Sequence, residues 1–224
     1  MSRYTIISAF AAFLGSSSVA LATGSVPPSA ETARDWTGFY AGAVLNRAIG
    51  EYGGEFNVLG TGFPDDRSGE LEGGMGGLAI GYNLQRGNVV FGGELAYLGI
   101  GNISGAEVCP APAFSCDFEV EGLTTLTGRV GFLASEDLLV YGSAGFAAAS
   151  ARAFFDPVVI TDPGFTDFSG YTLGIGAEYF VSDRMSVRGA VDYHDFGEEP
   201  QTPSAPTVVD FSFTTVEVGA FFHF

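Results

Sequence analysis

The residues that most resemble catalytic groups in this sequence are its two histidines. His194 lies between Asp192 and Asp195, and His223 is the penultimate residue. A hydrolase of the Ser-His-acid kind needs a serine within reach of an oriented imidazole. No serine follows His194 at the spacing of a lipid-deacylating motif. The sequence therefore predicts no catalytic residue and no enzyme.

The two cysteines indicate an oxidising compartment. Cys109 and Cys116 are separated by Pro-Ala-Pro-Ala-Phe-Ser, a hairpin-like spacing that suits a local disulfide. Two thiols without a nearby histidine or further cysteine cannot supply the four ligands of a structural metal site. We therefore predict a disulfide here, with no metal and no cofactor.

Charged side chains are scarce and mostly acidic. Among 224 residues, 26 Asp and Glu stand against 9 Lys and Arg, which gives a formal net charge of −17. Proteins bind nucleic-acid phosphates through Lys and Arg, so this balance excludes nucleic acid as a partner. Six charged residues nevertheless lie opposite the apolar faces of the alternating segments: Glu94, Arg129, Glu178, Arg188, Asp192 and Glu217. Because a guanidinium group can bridge several carboxylates, Arg129 and Arg188 are predicted to anchor a network of ion pairs.

The elements that must position these charges are β-strands. The chain is 46% hydrophobic, yet after the first thirty residues no run approaches the roughly 20 apolar residues of a spanning helix. Apolar and polar residues instead alternate with a period of two, which is typical of strands with one apolar face. Eight such segments are predicted, and only the fifth leaves its two faces unassigned: residues 36–48, 74–84, 89–100, 123–133, 138–149, 171–181, 185–194 and 211–224.

The connections between these segments alternate between short and long. Residues 85–88, 134–137 and 182–184 form short turns, whereas the long connections are residues 50–70, 101–121, 150–169 and 197–210. This order predicts an all-β fold, an eight-stranded antiparallel up-and-down transmembrane β-barrel with short periplasmic turns and long extracellular loops. The alternative, a soluble lipocalin-like barrel, would need polar outward faces. Recurring aromatic residues are predicted to form girdles at the membrane interfaces: Phe39, Tyr40, Tyr82, Tyr97, Tyr141, Tyr171, Tyr179 and Tyr193.

The first residues predict export. Arg3, the apolar stretch 6–14 and the small-x-small site Ala20-Leu21-Ala22 together indicate a signal peptide over residues 1–22. Residues 23–34 are predicted to be a flexible leader, and residues 35–224 the barrel.

Four motifs resemble a known family. They are Asp35-Trp36-Thr37-Gly38-Phe39-Tyr40-Ala41-Gly42, Gly76-Gly77-x-x-x-Gly81-Tyr82-Asn83-x-Gln85, Leu126-Thr127-Gly128-Arg129-Val130-Gly131 and Tyr193-His194-Asp195-Phe196-Gly197. Their order and spacing resemble the porin-like, opacity-type small outer-membrane β-barrel surface proteins, whose fold is similar to the OmpA-type transmembrane barrel. Phe224 resembles the aromatic C-terminal signal read by the barrel-assembly machinery.

The resemblance implies an integral outer-membrane protein that contacts membrane lipids and lipopolysaccharide and acts as a surface antigen or envelope-stabilising protein. It names no partner for the extracellular loops. Some members of this group bind haem or host surfaces, but two histidines offer little capacity to ligate iron. The acidic loop residues are expected to be solvated, the alternative being divalent cations that bridge to lipopolysaccharide phosphates: Asp65, Asp66, Asp156, Asp162, Asp167, Glu198 and Glu199.

In such a barrel the six charged residues would point into the lumen. An interior formed by eight strands is just wide enough for side chains to fill. We therefore expect a structural network that closes the lumen. The alternative is a small pore, and it would favour cations because acidic residues outnumber arginines in this set.

Overall fold

The computed structural model describes residues 34–56, 65–108, 115–156, 166–200 and 208–224. The predicted signal peptide and nearly all of the predicted leader lie outside these ranges. Eight strands account for almost all of the described residues: β1 Gly38–Phe56, β2 Asp65–Arg86, β3 Val89–Val108, β4 Ser115–Ser135, β5 Leu138–Asp156, β6 Thr166–Phe180, β7 Met185–Pro200 and β8 Val208–His223. No described segment forms a helix long and apolar enough to cross a membrane.

The strands close into one barrel. Each strand pairs antiparallel with its neighbours in chain order, and β8 returns to pair with β1. The closing seam runs from Tyr40 opposite His223 to Glu55 opposite Val208. The predicted eight-stranded antiparallel up-and-down barrel is therefore confirmed.

The two faces of the wall differ as the alternation predicted. Large apolar side chains lie exposed on the outside of every strand, for example Leu78 at 68%, Phe146 at 75% and Val218 at 60% exposure. A water-soluble barrel would not carry a continuous apolar exterior of this kind, so the lipocalin-like alternative is wrong. In β5, whose faces the sequence left open, Leu139 and Tyr141 point inward and Phe146 points outward.

The three short turns lie where they were predicted. Residues 87–88 connect β2 to β3, residues 136–137 connect β4 to β5, and residues 181–184 connect β6 to β7. Gly87 has φ +61°, in the left-handed region that a two-residue hairpin requires. These turns define one end of the barrel, which we call the short-turn end.

At the opposite end, the loop end, the strands are longer than predicted. β1 continues to Phe56 and β2 begins at Asp65, so most of the predicted loop 50–70 is strand; the other three predicted loops shorten in the same way. Strands of up to 22 residues far exceed the roughly 9–11 that cross a bilayer. The sequence does not reveal these strand extensions, because their outward residues are polar like those of a loop. Their inward residues remain apolar and pack inside the barrel, as Tyr52, Phe118 and Phe211 do.

Two of the predicted girdle residues were assigned to the wrong face. Tyr40 and Tyr141 are buried inside the barrel, whereas Phe39, Tyr82 and the other predicted girdle aromatics lie outside. Tyr40 follows the outward Phe39 and so has inward parity, and Tyr141 belongs to the strand whose faces could not be assigned.

Candidate functional site in the barrel lumen

Arg129 of β4 is the first of two guanidinium groups at the centre of the lumen. Its Nη1 donates to Glu178 Oε2 at 3.0 Å, and its Nε and Nη2 donate to Asn83 Oδ1 at 3.1 and 3.0 Å. The guanidinium carbon lies 4.5 Å from the ring centroid of Tyr40 and 5.1 Å from that of Tyr141. The charge is thus held by one carboxylate, one amide and two aromatic faces.

Arg188 of β7 forms the second centre. Its Nη1 and Nη2 donate to the two oxygens of Glu94 at 2.5 and 3.0 Å, which is a bidentate pair. Its Nε and Nη2 also donate to Glu217 Oε1 at 3.1 and 2.9 Å. The Arg188 side chain is only 3% exposed, and its partners 12% and 13%. One arginine therefore joins β3, β7 and β8 across the interior.

Tyr40 links the two centres. Its hydroxyl donates to Glu94 Oε2 at 2.8 Å while its ring covers Arg129. A Cβ on Gly81 would collide with this ring, and a Cβ on Gly176 with the ring of Tyr141. Glycine at these two positions makes room for the inward tyrosines, which gives the intra-strand glycines a packing role in this barrel.

Asp192 lies beside the network without belonging to its ion pairs. Among the described residues no Lys or Arg approaches its carboxylate within salt-bridge distance. It lines a cavity of about 40 Å³ together with Glu217 and His194, enough for about three water molecules. His194 is buried, with Nε2 3.3 Å from Thr215 Oγ1. Polar groups that take no part in the ion pairs, the Asp192 carboxylate and the His194 imidazole, thus line the same small cavity.

Below the network, the short-turn end is plugged by aromatic side chains around Trp36. The Trp36 ring is 1% exposed and packs edge-on against Phe180, with centroids 4.5 Å apart. The ring of His223 lies 4.5 Å from the same Phe180 ring. His223 Nε2 is 2.9 Å from Ser186 Oγ and 3.0 Å from Glu178 Oε1, so the plug is bonded directly to the Arg129 centre.

Residues 34–37 strap this plug to two of the short turns and to the end of β2. Arg34 Nε donates to Asp137 Oδ1 at 2.6 Å and its Nη1 to the carbonyl of Asp183 at 3.0 Å. Trp36 Nε1 donates to the carbonyl of Glu136 at 3.1 Å, and the Trp36 amide donates to Gln85 Oε1 at 2.8 Å. The segment before β1 therefore closes the short-turn end.

Above the network, the loop end is filled by a second group of aromatic side chains, which we call the upper aromatic layer. Phe118, Phe168 and Phe211 pack with ring centroids 4.9–6.3 Å apart. Phe196 stacks on Phe211 at 4.6 Å, and all of these rings are buried. Apolar packing therefore lies on both sides of the charged centre.

The structure brings most of the predicted site residues together. Five of the six predicted charges make the contacts described above, and Asp192 lines the cavity beside them. Phe224 lies at the short-turn end, where its amide donates to the carbonyl of Phe39 at 2.9 Å. Cys109 lies outside the described residues, and the side chain of Cys116 is also outside the description, so the disulfide stays a prediction.

Several residues of the site were not predicted. Asn83 shares inward parity with Gly81 in β2, so alternation alone could have identified it. Ser186 and His223 have the same inward parity in β7 and β8. Arg34 lies before the first predicted segment, where no periodic signal applies. Trp36 begins that segment, but its partners Gln85 and Glu136 are distant in sequence.

Comparisons with known proteins agree with this geometry. The sequence model of the outer membrane protein beta-barrel domain matches residues 16–224. The chain is 29% identical to the 31 kDa outer-membrane immunogenic protein of Brucella melitensis over 240 aligned positions, which cover 99% of this chain and 100% of that protein. It is 30% identical to the 22 kDa outer membrane protein of Rhizobium leguminosarum, over 73% of this chain and 66% of that protein.

Among solved structures, the outer membrane protein OprG from Pseudomonas aeruginosa has the same fold. It superposes with a TM-score of 0.51 at 12% identity, covering 85% of this chain and 98% of OprG.

Proposed function

The chain belongs to the outer membrane protein beta-barrel domain family, and on that basis we propose that it is a structural surface protein of the outer membrane with a closed lumen. The family places it in the outer membrane, where the apolar exterior faces lipid. The closed lumen rests mainly on one observation: side chains fill the interior from Trp36, through Arg129 and Arg188, to the upper aromatic layer.

The proposed closure has three successive barriers. The Trp36 plug obstructs the short-turn end, the ion pairs cross the middle, and the upper aromatic layer obstructs the loop end. A hydrated ion passing through would have to displace apolar rings twice and break buried ion pairs once. The cavity beside Asp192, about 40 Å³, has room for only a few waters.

A cation-permeable pore is the second candidate. It is favoured by the charge of the lumen, where Glu94, Glu178, Asp192 and Glu217 face Arg129 and Arg188, leaving a formal excess of two negative charges. A ring of carboxylates selects for cations. The pore would require the Trp36 plug and the upper aromatic layer to move apart.

An enzymatic role receives no support from the polar cluster at the short-turn end. A relay of the Ser-His-acid kind needs the serine on one imidazole nitrogen and the acid on the other. Here Ser186 and Glu178 both approach the same Nε2 of His223, and Ser186 is fully buried. We propose that the cluster is structural.

The proposed partners follow from the location. Outer-membrane lipids and lipopolysaccharide would contact the apolar wall, and the barrel-assembly machinery would read Phe224, whose side chain is 77% exposed. The Brucella relative is an immunogenic protein by name, which supports a surface-antigen role for the loop end of this chain.

The structural role is tested by deleting the gene and measuring sensitivity to detergent and chelator. We expect the deletion strain to be more sensitive and full-length wild-type protein to restore resistance. Antibody raised against the purified protein should bind intact cells of the complemented strain and not those of the deletion strain. Unchanged sensitivity would contradict the structural role, and binding only after permeabilisation would contradict surface exposure.

A further inference from the structure

Two outward tyrosines share one carboxylate on the exterior of β6 and β7. The hydroxyl of Tyr171 donates to Asp195 Oδ2 at 3.0 Å, and that of Tyr193 donates to the same oxygen at 3.1 Å. The two ring centroids are 6.5 Å apart and the ring planes are inclined by 59°. Within the described part of the chain, Oδ1 has no side-chain donor. The arrangement therefore presents two ring faces and a carboxylate oxygen to the surroundings.

This cluster lies at the upper border of the apolar exterior. Tyr171 is opposite Asp195 across the β6–β7 seam and opposite Phe146 across the β5–β6 seam. Phe146 and Leu173 are outward and exposed, and Leu173 is two residues nearer the short-turn end than Tyr171. On the other side, Asp195 is opposite Ser212 of β8. The cluster thus has an apolar surface beneath it and a polar one beside it.

The polar side continues as a row of four polar residues, three of which are acidic. Asp195 pairs with Ser212, Ser212 with Glu51, and Glu51 with Glu70, across four adjacent strands. Directly opposed like charges destabilise a sheet, and this row contains no Lys or Arg to offset the Glu51–Glu70 pair. The local charge therefore favours a cation from outside and repels an isolated phosphate.

We propose that Tyr171, Tyr193 and Asp195 bind the positively charged headgroup of an outer-leaflet lipid, an ammonium or quaternary ammonium group. A cation within about 6 Å of an aromatic face is attracted by the ring quadrupole. The free carboxylate oxygen adds a charge-assisted contact, and the acyl chain lies along Phe146 and Leu173. The apolar surface favours a lipid over a free cation. This inference rests on the placement in the outer membrane and does not depend on whether the lumen is closed.

The test compares two lipids that share phosphate and acyl chains. Native mass spectrometry of the full-length barrel, released from maltoside micelles, measures the affinity for phosphatidylcholine and for phosphatidylglycerol. We expect the wild type to prefer phosphatidylcholine, and Asp195→Asn to weaken its binding at least fivefold.

The matched control is Asp167→Asn, which removes one outward carboxylate of β6 that accepts a hydrogen bond from Ser150 at 2.8 Å. It should leave phosphatidylcholine binding unchanged. Equal losses in both Asn variants, or equal wild-type affinities for the two lipids, would overturn the proposal.

Two tyrosine variants separate ring faces from hydroxyl groups. Tyr171→Phe with Tyr193→Phe keeps both rings and should retain binding, whereas Tyr171→Leu with Tyr193→Leu should lose it at least fivefold. Tyr179→Leu, an outward change near the short-turn end of β6, should have no effect. Gel mobility before and after heating verifies that each variant is folded. If the double Leu variant does not fold, the comparison of Asp195→Asn with Asp167→Asn tests the proposal on its own. Equal affinity for free tetramethylammonium would show that no lipid is required and would overturn the lipid assignment.

Discussion

Replacing Arg188 with glutamine should strongly destabilise the barrel. The change removes four hydrogen bonds to Glu94 and Glu217 and leaves two carboxylates facing each other in a site that is 12–13% exposed. Breaking a buried ion pair from one side costs about 3–5 kcal/mol because the remaining charge is left unpaired. With a urea m-value of about 2 kcal/mol per molar, the unfolding midpoint should fall by about 1.5–2.5 M.

Equilibrium urea unfolding in lipid vesicles measures this shift. Trp36 is the only tryptophan of the chain and is buried in the plug, so its fluorescence reports loss of the folded lumen. Heat-dependent gel mobility gives an independent measure of barrel closure.

The matched control is Arg47→Gln. Arg47 pairs with Glu72 at 3.1 Å on the exposed outer surface, with side-chain exposures of 68% and 60%. An exposed pair of this kind contributes about 0–1 kcal/mol, so its loss should move the midpoint little. If Arg188→Gln shifts the midpoint no further than Arg47→Gln does, the buried network is not a major source of stability.

A compensated variant shows whether the destabilisation comes from the lost attraction or from the carboxylates that are left unpaired. Arg188→Leu combined with Glu94→Gln and Glu217→Gln removes all three charges, and apolar or neutral replacements of buried ion pairs are often close to neutral in stability. We expect this variant to recover most of the loss. A triple variant as unstable as Arg188→Gln would contradict the stranded-charge explanation.

Three further changes test other parts of the lumen and the predicted disulfide. Trp36→Ala removes the ring of the plug and should cost about 3–5 kcal/mol, seen as a lower temperature for the heat-dependent gel shift; an unchanged temperature would show that the plug adds no stability. Phe211→Ala, in the upper aromatic layer, should cost a similar amount by urea unfolding, whereas the lipid-facing Val218→Ala should cost much less; equal costs would contradict the tight packing of that layer. Alkylation of the unreduced, denatured protein should leave Cys109 and Cys116 unmodified by mass spectrometry, and labelling of both would refute the disulfide.

Alternation along the chain was enough to predict the barrel, because the two faces of each strand meet different surroundings. Residues such as Leu78 and Ile175 face lipid while Glu94 and Arg129 face inward, and a period of two records this directly. Glycine and polar residues marked the three short turns, and these turns predicted which strands are connected at that end of the barrel. The inward and outward faces of β5 could not be assigned, because its alanines give no difference in polarity between the two faces.

The contacts inside the lumen could not be predicted in the same way. Arg188 and Glu94 are 94 residues apart, and their meeting depends on the stagger between strands around the closed barrel. Alternation assigns a residue to the interior, but it gives neither the position of that residue along the barrel axis nor the side chains that it contacts. The strap formed by Arg34 and Trp36 was missed for another reason, since its contacts depend on turns that come together only when the barrel closes.

The closed lumen is tested most directly by planar-bilayer recording of the purified, refolded wild-type protein in potassium chloride. The three barriers predict a bilayer that remains at baseline conductance although insertion is verified by protease protection of the barrel. Steady, cation-selective conductance from the wild type would contradict the closed lumen and favour the pore.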